Sequence, residues 1–391
     1  MAKGTWDFST PVCLTGYCES PHWASAVEFA DKKALNGEGR EGEKRLMISV
    51  NLDRLIEAFN DLVQTPSVVG FYPRIHALMK EKAAAMGYET ETDNKHTVWI
   101  KVRGQDHSRV RAVAAHLDTI GMIVRFVDEN GWLETRNYGG VNFHSLEGAN
   151  VIVHTRSGKD YTGTVICKSH SVHVFDDARD LPRTMENMRI VLDEDVHSPE
   201  EVAALGIRHG DLISVEPNTV WTESGYVKSR HVDDKIHAAI LLECLRQLAE
   251  TGQRPVYDTW FAFPMFEEIG KGGAYCPAEV DEYLALDIAS IGPGFNGSEK
   301  KVTICGGDRI APYDWGLTTR LIELAEEAGL DFAVDVFYRY ASDATEAFDA
   351  GQNIKPALIG TGTLSSHGYE RTHLEGIKNT ALLTMAYLLA E

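Results

Sequence analysis

Apolar residues recur at helical spacing in two early stretches of the chain. Residues 52–63 carry one apolar stripe that ends before Pro66, and residues 75–86 carry a second that ends at Gly87. Apolar positions three and four apart share one face of a helix, and Pro or Gly commonly follows a helix end. The pattern therefore predicts two amphipathic helices. Residues 1–45, which end in an alternation of glycine and charge, are predicted to be an N-terminal extension and linker.

Continuous apolar runs predict buried strands. Residues 98–102 and 110–115 form two such runs, and a third, Trp-Phe-Ala-Phe, occupies residues 260–263. Strands that are apolar throughout are typical of sheets covered on both faces. Strand and helix patterns then alternate to the end of the chain. One of these helices is expected to begin where Asp343 and Glu346 have the spacing of a capping box.

The middle of the chain has a different texture. Residues 122–228 consist of short alternating apolar segments separated by turn sequences such as Asp-Glu-Asn-Gly at 128–131. This texture is typical of antiparallel strands. The chain is therefore predicted to be an α/β domain, made of residues 46–121 and 229–391, that is interrupted by a β-rich domain at 122–228.

Composition and charge exclude some partners. The 391 residues carry 38 Lys and Arg against 58 Asp and Glu, a formal net charge of −20. Nucleic acid and anionic membranes would repel such a chain, so neither is expected as a partner. No run of about 18 apolar residues is present, and the N-terminus lacks the apolar core of a secretory signal. A cytoplasmic location is expected, and the six scattered cysteines are expected to be reduced thiols.

Acidic and imidazole side chains follow the predicted strands or begin a helix. They are His116 and Asp118, then Asp233, Glu267 and Glu268, Asp287, and His373. Carboxylates are almost never fully buried unless they are paired or bound to a metal. Imidazole together with carboxylate is the ligand mixture of zinc and similar divalent ions, and five ligands suit two ions that share a bridging carboxylate. The order therefore predicts a site for two metal ions.

Three short motifs carry a resemblance to a known family. Residues 115–121 read Ala-His-Leu-Asp-Thr-Ile-Gly, residues 233–235 read Asp-Asp-Lys before a helix, and residues 267–274 contain Glu-Glu-Ile-Gly followed by Gly-Ala. In this order and spacing, the chain from about residue 50 to 391 resembles the tetrahedral, or glutamyl and deblocking, aminopeptidases of the dinuclear zinc aminopeptidase superfamily. The resemblance implies a mixed-sheet α/β catalytic domain with a barrel-like β insertion that serves dimerisation. It also implies a homo-oligomer built from dimers, with a dodecamer as the largest assembly considered.

The resemblance further implies a role for each polar residue. The metal ligands would be His116 and Asp287 for one ion, Glu268 and His373 for the other, and Asp233 as the bridge between them. Asp118 would accept the proton on the far nitrogen of His116 and so fix its tautomer. Glu267 would be the general base. Two divalent ions per subunit are expected, zinc foremost, with cobalt and manganese as alternatives.

Two positions depart from the family pattern. Lys235 stands where Arg is usual, and Lys and Arg are not equivalent in fork-shaped contacts. The residues around His373 differ from the Arg-Tyr-x-His-Ser run common in relatives, which leaves His367 as an alternative for the last ligand. A free substrate amine would need an acidic partner near the metals, and Asp343 and Glu370 are the carboxylates considered for that role.

These observations predict a metal-dependent aminopeptidase that acts on short peptides. Two alternatives stay open: a dinuclear amidohydrolase for a blocked or acylated dipeptide-like metabolite, and a non-catalytic scaffold derived from the same fold. A glycosidase is disfavoured, because it needs two carboxyl groups on opposite faces of a sugar, about 5 to 10 Å apart. The adjacent Glu267 and Glu268 fit that arrangement poorly.

Overall fold

The computed structural model describes residues 24–31 and 44–391. Within these ranges it contains seven α-helices, namely α1 (Leu52–Gln64), α2 (Pro73–Ala85), α3 (Pro199–Ala204), α4 (Val232–Thr251), α5 (Trp315–Glu327), α6 (Asp343–Asp349) and α7 (Leu374–Leu389). The first ten strands are β1 (Ala24–Asp31), β2 (Lys44–Asn51), β3 (Glu91–Thr92), β4 (Val98–Val102), β5 (Asp106–Ala114), β6 (Gly121–Val127), β7 (Leu133–Tyr138), β8 (Asn150–His154), β9 (Asp160–Cys167) and β10 (Met188–Leu192). The next ten are β11 (Leu212–Val215), β12 (Val220–Trp221), β13 (Tyr226–Ser229), β14 (Tyr257–Phe263), β15 (Glu282–Leu286), β16 (Ala289–Ser290), β17 (Val302–Asp308), β18 (Phe332–Phe337), β19 (Lys355–Thr363) and β20 (Glu370–His373).

A strand hairpin precedes the first helix. Strands β1 and β2 pair antiparallel, and Ile48 and Val50 of β2 are buried in the main core. Regular structure therefore begins earlier than the helical stripe at residues 52–63 indicated. Within residues 47–51 only the alternate positions Ile48 and Val50 are buried, a strand pattern too short to stand out after the glycine-rich run before it. The rest of the predicted extension, residues 1–23 and 32–43, lies outside the described residues, as do Cys13 and Cys18.

The larger lobe is built on a mixed sheet. Nine of the described strands form it, in the spatial order β18-β17-β19-β15-β5-β14-β4-β3, with β16 beside β19. The four strands β19, β15, β5 and β14 are adjacent and mutually parallel, whereas β17 and β4 run antiparallel to their inner neighbours. The prediction of a mixed-sheet α/β lobe is confirmed.

Both faces of the sheet are buried, as the continuous apolar runs predicted. On β14, Phe261 and Phe263 point into a core shared with α1, α4 and α7, whereas Trp260 and Ala262 point into a second core on the opposite face. Successive side chains of a strand face opposite sides of the sheet. Helix α6 contributes Ala344 to the second core. Its capping box joins Ser342 and Thr345, one residue earlier than the expected pair.

The inserted segment forms a closed barrel of six strands in the order β10-β7-β6-β11-β8-β9, with its own apolar core. The barrel packs against the loop between α1 and α2 and against the first turn of α2. Phe71 stacks on His154 with ring centroids 4.1 Å apart, and Arg74 forms an ion pair of 2.7 Å with Asp160. The same loop contacts the chain after β5 through a parallel β-bridge between Val68 and Thr119. No helix in the described part of the chain is long and apolar enough to cross a membrane.

Candidate metal centre

The topology of the sheet collects the polar residues at one edge. Strands β5, β14, β15 and β19 are parallel neighbours, so their carboxyl ends lie side by side. Ligand sites of α/β sheets lie beyond this edge. His116 follows β5, Glu267 and Glu268 follow β14, Asp287 follows β15 and His367 follows β19. Three of the four segments were predicted as strand-end sites.

Asp233 lies between two imidazoles. One of its carboxylate oxygens is 3.1 Å from Nε2 of His116, and the other is 3.5 Å from Nε2 of His367. The two glutamates extend this arrangement, because Oε2 of Glu267 is 3.5 Å from Nε2 of His116 and Oε2 of Glu268 is 3.4 Å from Nε2 of His367. Each imidazole therefore faces one oxygen of Asp233 and one glutamate.

These residues form groups that could hold a metal ion. In each group the donor atoms lie within 4.8 Å of one another. The groups are His116, Glu267 and Asp287; His116, Asp233 and Glu268; and Asp233, Asp234 and Asp287. The overlap of the groups at His116, Asp233 and Asp287 suits two adjacent ions better than one, since a single tetrahedral ion takes four ligands.

His373 does not join this cluster. It ends β20, where it pairs with Tyr226 of β13 and packs edge-on against the Tyr226 ring at 4.6 Å. Its Nε2 bonds to the carbonyl oxygen of Ser224 at 2.9 Å, and its Nδ1 accepts the N–H of Glu375 at 3.0 Å, which caps helix α7. Both nitrogens are occupied by structural contacts. The geometry thus brings His367, the alternative, to Glu268 and Asp233 in place of His373.

Asp118 holds the turn that carries the two glutamates. Its two carboxylate oxygens accept the backbone N–H groups of Glu267 and Glu268, each at 3.1 Å. The far nitrogen of His116 was predicted to contact the Asp118 side chain. Its Nδ1 is nearer to the Asp118 carbonyl oxygen, at 3.0 Å, than to the carboxylate, at 3.5 Å. The hydrogen bonds from the N–H groups of Glu267 and Glu268 to Asp118 were not predicted from the sequence, because they join residues about 150 positions apart.

The start of α4 is fixed by buried polar contacts. The Asp233–Asp234 peptide bond is cis. Asp234 accepts the N–H of His116 at 3.1 Å and contacts Nδ1 of His237, whose Nε2 accepts the N–H of Thr361 at 3.0 Å. Burial lowers the pKa of His237 to about 3, so the ring is neutral and can donate at one nitrogen while it accepts at the other. Asp234 and His237 therefore tie α4 to the ends of β5 and β19.

Lys235 occupies the position where the resemblance led us to expect Arg. It is fully buried, and its Nζ donates to Oγ of Ser67 at 2.5 Å. The Ser67 hydroxyl donates in turn to the carbonyl oxygen of Leu117 at 2.6 Å. Burial lowers the pKa of Lys235 to about 7. The ammonium group of a lysine is sufficient here, because Ser67 accepts a single hydrogen bond and no bidentate contact of the kind an arginine makes is needed.

The electrostatics of the cluster call for a cation. Burial, reinforced by neighbouring carboxylates, raises the pKa values of Glu267 and Glu268 well above the ordinary range and that of Asp287 to about 8. Burial alone would lower the pKa of His116, but Glu267, Asp118 and Asp233 outweigh it and raise that pKa well above its usual value. Without a cation, protons must offset the charge of so many buried carboxylates. The residues present therefore fit divalent metal ions.

The two carboxylates considered for a substrate amine differ in their contacts. The oxygens of Glu370 accept the N–H groups of Asp233 at 3.1 Å and of His367 at 3.0 Å, so Glu370 supports the backbone of the site. Asp343 is 3% exposed, and one of its oxygens has no hydrogen-bond partner among the described residues. Burial raises the pKa of Asp343 to about 7. Of these two carboxylates, Asp343 alone has an oxygen left to accept a hydrogen bond from a substrate amine.

Comparison with known proteins gives a consistent result. The family model described as M42 glutamyl aminopeptidase matches residues 97–383. The putative aminopeptidase YhfE of Bacillus subtilis is 37% identical over 336 residues, which cover 86% of this chain and 97% of that protein. Lysyl aminopeptidase of Pyrococcus furiosus is 26% identical over 71% of this chain and 79% of its own length.

Solved structures share the fold. A TET aminopeptidase from the Thaumarchaeota archaeon SCGC AB-539-E09 superposes with a TM-score of 0.77 at 22% identity, over 86% of this chain and 96% of that chain. The TET1 peptidase of Pyrococcus horikoshii, which can assemble into a tetrahedron or a large octahedral shell, gives a TM-score of 0.76 at 22% identity, over 86% of this chain and 99% of that chain.

Proposed function

The chain belongs to the M42 glutamyl aminopeptidase family and is therefore a peptide hydrolase, and we propose that it removes N-terminal residues from short peptides with two divalent metal ions. The observation that carries the proposal is the buried set of carboxylates and imidazoles at the ends of four parallel strands. Asp233 lies at its centre, with one oxygen towards His116 and the other towards His367.

We assign the metal ligands from these contacts. His116 and Asp287 would hold one ion, Glu268 and His367 would hold the other, and Asp233 would bridge them. This assignment replaces His373, whose two nitrogens are engaged elsewhere. Nitrogen and oxygen donors favour zinc, and cobalt or manganese would fit the same donors.

Glu267 is the residue we assign to move the proton. When bound, two divalent ions polarise the peptide carbonyl and lower the pKa of a water. Glu267 would take a proton from that water at Oε2 and deliver it to the departing amine. Burial raises the pKa of Glu267, and a carboxylate with a raised pKa is a stronger base than an ordinary glutamate. Asp118 would keep Glu267 in place through the N–H group that it accepts.

Asp343 is the residue we assign to the free amine of the substrate. Its unpartnered oxygen offers an acceptor, and its negative charge is near enough to raise the pKa of Glu267. An enzyme for blocked substrates would have no use for such a carboxylate. This observation favours the aminopeptidase over the amidohydrolase for acylated dipeptides.

The decisive experiment compares free and blocked substrates. Chelator-treated protein would be restored with zinc, cobalt or manganese and assayed on aminoacyl anilides and on N-acetylated dipeptides. We expect metal-restored hydrolysis of the aminoacyl anilides. Hydrolysis of the acetylated substrates only would refute the aminopeptidase assignment, and hydrolysis that persists in the chelator-treated protein would refute metal dependence.

A homo-oligomer is also proposed. We assign residues 122–228 to the inserted domain that joins two subunits, since strands β6 to β11 lie between Gly121 and Val215. The tetrahedral assembly of the Pyrococcus horikoshii TET1 peptidase and the dodecamer of PhTET1-12s support larger assemblies of such dimers, up to a dodecamer. Light scattering of the full chain would give the mass, and a monomer would contradict the proposal.

A further inference from the structure

The barrel reaches into the metal centre through the segment after β7. The carbonyl oxygen of Gly140 is 3.1 Å from Nδ1 of His367, and the N–H of Asn142 donates to the His367 carbonyl oxygen at 3.3 Å. His367 lies in a left-handed backbone conformation with φ of 61°, in a turn that closes between Ser365 and Gly368. The barrel therefore contacts both the ring and the backbone of His367.

The close approach explains two adjacent glycines. A Cβ on Gly140 would lie 2.6 Å from Nδ1 of His367, and one on Gly139 would lie 2.5 Å from Ile120 and 3.2 Å from Oε2 of Glu268. Gly139 has a φ of 75°, whereas Gly140 lies outside the left-handed region. At Gly140 the missing side chain, and not backbone freedom, makes room for the imidazole. Asn137 anchors the segment by donating to the Gly139 carbonyl oxygen at 2.8 Å.

The contact at Gly140 decides which nitrogen of His367 can bind a metal. A backbone carbonyl only accepts, so Nδ1 must carry the proton and Nε2 keeps its lone pair. That Nε2 is the atom facing Asp233 and Glu268. A carbonyl or carboxylate behind a metal-binding imidazole fixes its tautomer and ring orientation, and removal of such a partner typically lowers metal affinity about 10- to 100-fold.

The two imidazoles of the site are supported differently. Nδ1 of His116 faces the carbonyl oxygen of Asp118, which belongs to the same lobe and lies two residues away. Nδ1 of His367 faces Gly140 of the inserted barrel, 227 positions away in the chain. A change in the barrel segment that carries Gly140 would therefore alter the orientation of His367 and leave that of His116 unchanged.

We propose that residues 137–142 of the barrel are a positioning element of the metal centre, which sets the tautomer and orientation of His367 through the Gly140 carbonyl. The barrel then acts on the affinity for the ion held by His367 and Glu268, in addition to any part in assembly. This inference rests on the proposed function, because it takes His367 as a metal ligand.

The test uses Gly140→Ala in the full chain. Its matched control is Gly292→Ala, because Gly292 is exposed, has no atom within 4 Å of a built Cβ and lies outside the left-handed region. Metal-free proteins would be titrated with Co²⁺ by calorimetry and by visible absorption, which reports the ligand geometry of each ion. We expect Gly140→Ala to bind one ion about 10- to 100-fold more weakly, with an altered absorption band, and the other ion normally. Gly292→Ala should match the wild type.

The remaining outcomes separate this inference from the proposed function. Wild-type affinity for both ions in Gly140→Ala would overturn the inference and leave the aminopeptidase proposal intact. A wild-type chain that binds no divalent ion would overturn both. Thermal unfolding of the metal-free variants tests for misfolding. If Gly140→Ala does not fold, Asn137→Ala removes the anchor of Gly139 without added bulk and should weaken the same ion several-fold, whereas unchanged binding in that variant would overturn the inference.

Discussion

The two candidate histidines give opposite predictions for metal binding and stability. In His367→Ala the cluster loses an imidazole whose Nε2 lies 3.4 Å from Glu268 and 3.5 Å from Asp233. Loss of a ligand should cost more than loss of a ligand's hydrogen-bond partner, for which 10- to 100-fold is typical. We therefore expect affinity for one ion to fall at least about 100-fold, or about 2.7 kcal/mol. Hydrolysis should fall at least as far.

His373→Ala should affect stability and not metal binding. It removes the cap on the N–H of Glu375 and the bond to the Ser224 carbonyl oxygen. A cap and a hydrogen bond are each worth about 1 kcal/mol, so the loss is about 2 kcal/mol. In a chain of this size such a loss lowers Tm by only a few degrees. The variant should hold both ions and hydrolyse aminoacyl anilides at nearly the wild-type rate.

The assay pairs elemental analysis with thermal unfolding. Wild type and both variants would be loaded with zinc, dialysed together against metal-free buffer and analysed for ions per chain, and the metal-free forms would be melted. We expect two ions in the wild type and in His373→Ala, and one in His367→Ala. One ion in His373→Ala together with two in His367→Ala would refute the reasoning, because the last ligand would then be the residue that the geometry places elsewhere.

Three further substitutions probe neighbouring roles. Glu267→Gln should keep both ions while kcat falls about 10²- to 10⁴-fold, and loss of an ion by elemental analysis would contradict its role as base. Asp118→Ala should weaken metal binding about 10- to 100-fold in calorimetric titrations, because the N–H groups of Glu267 and Glu268 lose their acceptor. Wild-type metal affinity in this variant would show that these two hydrogen bonds do not position the glutamates. Burial, with the charge of Asp343, raises the pKa of Glu346 from 4.5 to about 9, so its folded form holds a proton that the unfolded chain has released. The contribution of this group to stability is therefore present below about pH 4.5 and is lost as the pH rises towards 9. Glu346→Gln should have a higher Tm than the wild type at pH 9 but not at pH 4.5. Equal gains in Tm at both pH values would contradict the raised pKa of Glu346.

The strand-end residues were predictable because their position depends on local pattern alone. His116, Glu267 and Asp287 each follow a continuous apolar run, and parallel strands bring such ends to one edge whatever the details of their connections. The mixed sheet, by contrast, was expected only from the resemblance to a known family. Contacts between distant segments leave no such pattern in the sequence. The hydrogen bond from the Glu267 N–H to Asp118 and the one between His367 and the Gly140 carbonyl oxygen are contacts of this kind.

His367 was harder to place from the sequence than the other proposed ligands, and the reason lies in its backbone conformation. It lies four residues beyond the end of β19, in a turn where both Ser365 and His367 have positive φ. Non-glycine residues are rare in that region, so a periodic reading of the sequence gives no sign that the side chain turns back over the strand ends. His373, by contrast, directly precedes a helix, which made it look like the other candidates.

The adjacent glutamates can take two different roles because of the short helix that carries them. Residues Glu267–Ile269 form a 3₁₀ turn, in which successive side chains point about 120° apart. Glu267 is thereby directed to His116 and Glu268 to His367, while Asp118 holds the backbone N–H of both. In an extended strand the two carboxylates would point to opposite faces of the sheet, and only one could reach the imidazoles of the cluster. The turn after β14 thus lets one pair of neighbours supply both the proposed base and a proposed ligand.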